Sequence, residues 1–242
     1  MTNLYDVVMF HYPCQDGLTS AWITNYYHKS NNKIIELYPI KHGDPYDFSR
    51  LENKKLIICD YAPSLEILNE LETKCCQIKI LDHHITAKES LQNKSYATFD
   101  MNKSGAGLTW EYFFPDIEMP LFIKMVQDRD LWKWSIPNSK DFTSGLFTLW
   151  DSCDYYDFDK IFMMFDNIFT DQNMFNFCMG IGEVVNQANC QKAKAIAEAA
   201  SKRIDKFMGK NVCIVNCSVE YASEVGNILS SMDSIDFAVM WT

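Results

Sequence analysis

Arginine is nearly absent from this chain: only Arg50, Arg129 and Arg203 occur among 242 residues. Bidentate guanidinium clamps on phosphate are therefore few. With 22 Lys plus Arg against 32 Asp plus Glu, the formal net charge is −10. Passive electrostatic binding along a nucleic-acid backbone needs the opposite sign and is excluded. No basic groove interleaved with aromatic residues is visible for single strands either. Apolar runs all fall short of the ~20 residues of a membrane-spanning helix. MTNLYDVVMF carries no basic segment ahead of its apolar stretch and reads as a first strand, not a signal peptide. Cys-x-x-Cys is missing, and the nine cysteines are an odd number lying mostly in apolar runs such as LIICDY and VCIVNC. That excludes a zinc ribbon or disulfide framework and points to free thiols in a reducing cytoplasm. Internal repeats and low-complexity segments are also missing. What remains is 48% hydrophobic and 14% aromatic, the make-up of a folded core.

The first half alternates strand-like and helix-like segments. LYDVVMF (4–10), KIIELYPI (33–40), KKLIICDY (54–61) and CCQIKILD (75–82) read as strands. Helical patterns follow at 18–29 and 64–74, the latter opened by Ser64 as a cap with leucines at 65, 68 and 71. Strands separated by helices predict an α/β fold with a mostly parallel sheet and helices on both faces. After Thr98 the pattern turns helical, with 104–114 and 119–132 as two helices and short acidic, aromatic helices over 141–177. A long helix is expected from Gly182 to Met208, ended by Gly209. A strand–helix–strand unit closes the chain. The expected division is a domain over 1–180, a connecting helix over 181–209 and a small, truncated C-terminal α/β domain over 210–242.

Three polar clusters stand just past three of these strands. They are His11–Cys14–Asp16–Gly17, Asp60, and Asp82–His83–His84. In an open parallel sheet the ligand crevice lies at the carboxyl ends of the strands, so the three converge. Each has a simpler reading alone: Asp16 as a helix cap, Asp60 as a turn residue, the histidines as a solvated pair. Together, His and Asp donors suit divalent ions such as manganese. Two cations ~3.5–4 Å apart can hold a hydroxide nucleophile and stabilise both oxygens of a phosphoryl transfer.

These segments resemble the motifs of the DHH phosphoesterase superfamily, named for its Asp-His-His tripeptide. His11…Asp16-Gly17, Asp60 in ICDYAP, Asp82-His83-His84 and QDRDLW (127–132) resemble its four motifs in order. SGAGLTWEYF and SEVGNIL resemble segments of its oligoribonuclease-like branch, so the likeness spans roughly residues 5–242. It implies a two-manganese phosphohydrolase that cleaves phosphodiester or phosphomonoester bonds of short oligonucleotides or nucleotides. Exopolyphosphatase and cyclic-dinucleotide phosphodiesterase share that metal site, and a non-catalytic metal-binding module that kept the fold is a third reading. By resemblance Asp60 bridges the metals, His11 holds the first, and Asp16, His83 and Asp128 hold the second. His84 contacts the substrate phosphate and Asp82 orients the histidines. Asp128 is taken over its neighbour Asp130 as the counterpart within the motif. Ser223 and Asn227 fall where the C-terminal segment approaches substrate. No membrane partner is implied, and a homodimer is compatible. The chain departs from the family in two places. Cys14 stands where the superfamily has Asp, and either packs inward or gives a thiolate to the first metal. The Gly-Gly-Gly-His clamp that follows SEVGNIL in relatives is not found, which implies either a reduced C-terminal domain or a partner subunit or shorter substrate that makes the clamp unnecessary.

Overall fold

A parallel strand buried on both faces needs apolar residues at successive positions. Val7–His11 (β1) supplies them: Val7 and Met9 pack on one side of the sheet, Val8 and Phe10 on the other. The same alternation recurs in Lys55–Cys59 (β3), where Leu56 and Ile58 oppose Ile57 and Cys59. With Glu36–Ile40 (β2), Gln77–Asp82 (β4) and Ala97–Phe99 (β5) these strands form a sheet of order β2-β1-β3-β4-β5, parallel throughout. The computed structural model describes residues 3–91, 93–201 and 203–241.

Helices cover both faces, as an α/β chain requires. Gln15–Ser30 (α1), Gly105–Phe113 (α4), Leu121–Asp130 (α5), Ser139–Asp151 (α6) and Phe158–Thr170 (α7) bury a core built around Trp22, Phe122, Phe142, Trp150 and Phe165. Leu65–Lys74 (α2) and the short Lys88–Leu91 (α3) close the other face through Leu68, Leu71 and Leu91. Ser64 caps α2 by accepting the Ile67 amide at 3.4 Å, as its sequence position predicts. β5 was not expected. It is a three-residue edge strand registered Ile80↔Ala97, too short to carry a periodic signal.

The C-terminal part corrects two expectations. Its long helix runs Gln172–Ala200 (α8), not 182–208. Met208 and Gly209 are not helical but form a two-residue turn with φ of +50° and +79°. Positive φ at both positions is what a tight hairpin needs. The turn joins Asp205–Phe207 (β6) to Lys210–Asn216 (β7) in antiparallel register. Val219–Ser230 (α9) and Phe237–Trp241 (β8) complete a second sheet of order β6-β7-β8. α8 lies against α6 with two glycines at the crossing. A Cβ at Gly182 would stand 1.6 Å from the Asp141 carbonyl oxygen, and one at Gly145 1.9 Å from that of Cys178. Among the described residues no helix is long and apolar enough to cross a membrane.

Candidate metal centre

Strand register brings the first three clusters together. Phe10 pairs with Cys59 and Cys59 with Leu81, so His11, Asp60 and Asp82 are neighbours on one edge of the sheet. Gly17 lets α1 turn in directly behind β1: a Cβ there would meet the His11 carbonyl oxygen at 2.1 Å. That turn carries Asp16 into the crevice. Its carboxylate accepts the Gly105 and Ala106 amides at 2.5 and 3.0 Å, at the positive N-terminal end of α4. Gly105 is small for the same reason, since a Cβ would lie 2.5 Å from Asp60 Cβ and 2.8 Å from Asp16 Oδ2. Asp60 has a left-handed φ of +55° and is 1% exposed. A non-glycine residue held there stores strain of the kind found at functional sites.

Donor atoms converge in three groups, each within 4.8 Å of one another: His11–Cys14–Asp60, Asp60–His83–His84, and Asp16–His83–Asp130. His83 Nε2 lies 3.3 Å from both Asp60 Oδ1 and Asp130 Oδ2, and 3.9 Å from Asp16. His11 Nδ1 stands 3.6 Å from Asp60 Oδ2, beyond hydrogen-bond reach. Such crowding shifts several of these groups. Burial and the neighbouring Asp60 and Asp130 push Asp16 well above the usual carboxylate range. Asp130 is raised to about 6 by burial and by Asp60. Burial also acts on Asp60, but His11 and His83 outweigh it and hold it below its ordinary value. For His83, burial is outweighed by Asp60 and Asp130, which raise it. His84 donates from Nδ1 to Asp82 at 2.8 Å, and that bond raises it to about 9.

Of five buried side-chain polar atoms without a partner among the described residues, three belong here: Asp60 Oδ2, Asp82 Oδ2 and Asp130 Oδ2. Buried carboxylate oxygens are rarely left so. Divalent cations would satisfy those of Asp60 and Asp130, and the mixed His and Asp donors fit them.

Asp128 is the expected ligand that does not join the cluster. Its carboxylate is buried and already taken: it accepts Ser135 N at 2.8 Å, Ser135 Oγ at 2.6 Å, Ile136 N at 3.1 Å and Ser139 Oγ at 2.7 Å. Asp130 is the carboxylate that α5 offers to the site. Helical spacing signals that only one of the two can face the site, because residues two apart on a helix point to opposite sides, but not which one. Ser223 and Asn227 sit on the exposed side of α9, and no hydrogen bond joins either side chain to the cluster among the described residues. His42 was not singled out. It follows β2 at the same sheet edge, its ring 4.9 Å from Tyr61 and 5.7 Å from His11. With His84, Pro63, Ser64 and Thr86 it lines a cavity of about 390 Å³ beside the cluster.

No family model matches the chain. An uncharacterized protein of Acanthamoeba polyphaga mimivirus is 29% identical over 251 residues, which cover 98% of this chain and 57% of that protein. The chain thus spans a little over half the length of the curated relative it matches. Among solved structures, an uncharacterized protein from Helicobacter pylori superposes with a TM-score of 0.58 at 13% identity, over 97% of this chain and 82% of that one. The exonuclease RecJ bound to manganese superposes with a TM-score of 0.54 at 13% identity, over 98% of this chain and 76% of its own. The fold is RecJ-like. It is the α/β fold with a mostly parallel sheet that the sequence leads one to expect. In this RecJ-like sheet, two of the three strand ends that carry the motifs, those of β3 and β4, also carry carboxylate oxygens without a hydrogen-bond partner, and the end of α5 brings a third.

Proposed function

We propose that this protein is a metal-dependent phosphoesterase acting on short oligonucleotides or nucleotide phosphates. The observation that carries the reading is the set of buried carboxylate oxygens without hydrogen-bond partners, those of Asp60 and Asp82 at strand ends and of Asp130 at the end of α5, standing beside His11 and His83. The RecJ neighbour is a manganese-bound exonuclease, which supports a divalent ion such as manganese and a phosphodiester substrate, and the separate donor groups support a second ion. Asp60 would bridge, His11 would hold one ion, and Asp16, His83 and Asp130 the other. When bound, the ions would activate water and neutralise the phosphoryl oxygens.

The chain's own residues supply the rest. His84, whose Nδ1–H is held by Asp82 and whose pKa is raised to about 9 in the metal-free protein, lines the cavity. There it is suited to bind a phosphoryl oxygen or give a proton to the leaving oxygen. Asp82 fixes that ring and is a positioning residue. The cavity volume suits one nucleotide and not a long strand, in keeping with the scarcity of arginine. Nine free cysteines and the lack of a membrane-spanning helix among the described residues favour a cytoplasmic setting.

The test is release of mononucleotide from a dinucleotide with manganese present. Activity that is abolished in Asp60→Asn supports the reading. Equal inertness of wild type and variant across dinucleotide, cyclic dinucleotide and polyphosphate rejects it in favour of a binding module.

A further inference from the structure

Cys14 is half-buried and differs from two of the buried thiols. Cys178 and Cys213 donate to the Phe142 and Ala200 carbonyls at 3.6 and 3.3 Å, the ordinary fate of a packed cysteine. Cys14 has no carbonyl acceptor. It stands in extended conformation (φ −147°, ψ 138°) at the start of α1, with its sulfur grouped with a His11 ring nitrogen and an Asp60 oxygen within 4.8 Å. A second observation independently points to a ligand there. Asp60 Oδ2, on a side chain 1% exposed, faces the same spot with no hydrogen-bond partner. Sulfur, nitrogen and oxygen donors thus converge from the ends of two adjacent strands, β1 and β3, a set that inert packing does not require.

The second group differs in kind. Asp16, His83 and Asp130 offer oxygen and nitrogen alone. Thiolate donors select softer ions, whereas carboxylates suit manganese and magnesium. We propose that Cys14 is a thiolate ligand of the ion held by His11 and Asp60, so that the two metal positions are chemically unequal: a softer ion such as zinc or cobalt beside Cys14, a harder one beside Asp16, His83 and Asp130. Binding replaces the S–H bond by a sulfur–metal bond and releases one proton to solvent. No electron changes hands. The inference rests on the two-metal reading above.

Cobalt titration of the metal-free full chain tests both and tells them apart. Wild type should bind cobalt and develop a near-ultraviolet sulfur-to-cobalt charge-transfer band that saturates at one ion per chain. Cys14→Ser and Cys14→Asp should bind cobalt without the band. The aspartate variant should also lower the ratio of cadmium to manganese affinity by at least about tenfold, as loss of a soft ligand requires. Cobalt bound by wild type with no band overturns the role of Cys14 and leaves the metal centre standing. A band that survives in Cys14→Ser overturns it equally, since another cysteine is then the ligand. Should no cobalt bind, the metal reading and the Cys14 inference fall together.

Discussion

Asparagine at 128 and asparagine at 130 should have opposite consequences, although the two residues share one helix end. Asp128 accepts four hydrogen bonds, two of them from the Ser135 and Ile136 backbone amides. An amide keeps one accepting oxygen for the Ser135 pair but turns an NH₂ toward the Ile136 amide. One buried backbone donor is left unsatisfied, at about 1–3 kcal/mol, and the remaining bonds lose their charge assistance, at roughly 1 kcal/mol in sum. Asp128→Asn should therefore cost about 3 kcal/mol and lower Tm by roughly 6–12 °C for a chain of this size. Because the Ser135 and Ser139 bonds outweigh burial, Asp128 lies below its ordinary pKa. Its stabilisation is present above the unfolded value of about 3.9 and is lost as pH falls through the lower folded value. The gap between variant and wild type should accordingly close in acid.

Asp130 runs the other way. Its folded pKa of about 6 lies above the unfolded value, so its ionisation destabilises the metal-free protein as pH rises from about 4 to 6. Asp130→Asn should leave the metal-free chain about 1 kcal/mol more stable above pH 6 while weakening manganese binding at least about tenfold. Thermal unfolding in chelator, paired with calorimetric manganese titration, reads both effects. If Asp128→Asn loses metal at unchanged metal-free stability, Asp128 is the ligand and the assignment of Asp130 is wrong.

Gly182→Ala would drive a methyl group into the Asp141 carbonyl at the α6–α8 crossing and should cost roughly 3 kcal/mol, seen as a lower urea midpoint. An unchanged midpoint would mean the two helices do not pack that closely. In the metal-free protein His84 should titrate near 9 by NMR, and Asp82→Asn should return it toward the ordinary ~6.5. A His pKa raised in this way adds stability below the unfolded value that is lost as pH rises through about 9, so the wild-type advantage over Asp82→Asn should fade in base. Manganese at a hundred times its Kd should raise Tm by about 5–11 °C, a stabilisation of about 2.7 kcal/mol. Chelator should reverse the rise, and Asp60→Asn should show little of it.

Why the sequence brought the candidate site together but favoured Asp128, which the fold keeps out of the cluster, over Asp130 is a matter of range. His11, Asp60 and Asp82 follow strands whose parallel pairing makes adjacency automatic, so a local pattern plus one topological rule was enough. The C-terminal hairpin was missed because its Met208–Gly209 turn lacks the Asn-Gly signature that usually marks positive φ at two successive positions. Asp128 and Asp130 lie two residues apart, about 200° around α5, so only one can face the crevice. Which one depends on residues beyond the helix. Trp132, Trp134 and Asn138 adopt left-handed φ values of +53°, +50° and +64°, folding the chain back so that Ser135, Ile136 and Ser139 reach Asp128. Aromatic residues rarely adopt that conformation, and nothing in QDRDLWKWS announces it. The turn thus supplies all the donors that one carboxylate can use. It leaves the other, two residues on, beside the His83 ring with a buried oxygen that has no hydrogen-bond partner among the described residues. An ion bound there would complete the same satisfaction of polar groups that the turn gives Asp128, which is why the pair of asparagine variants separates the structural role from the metal-binding one.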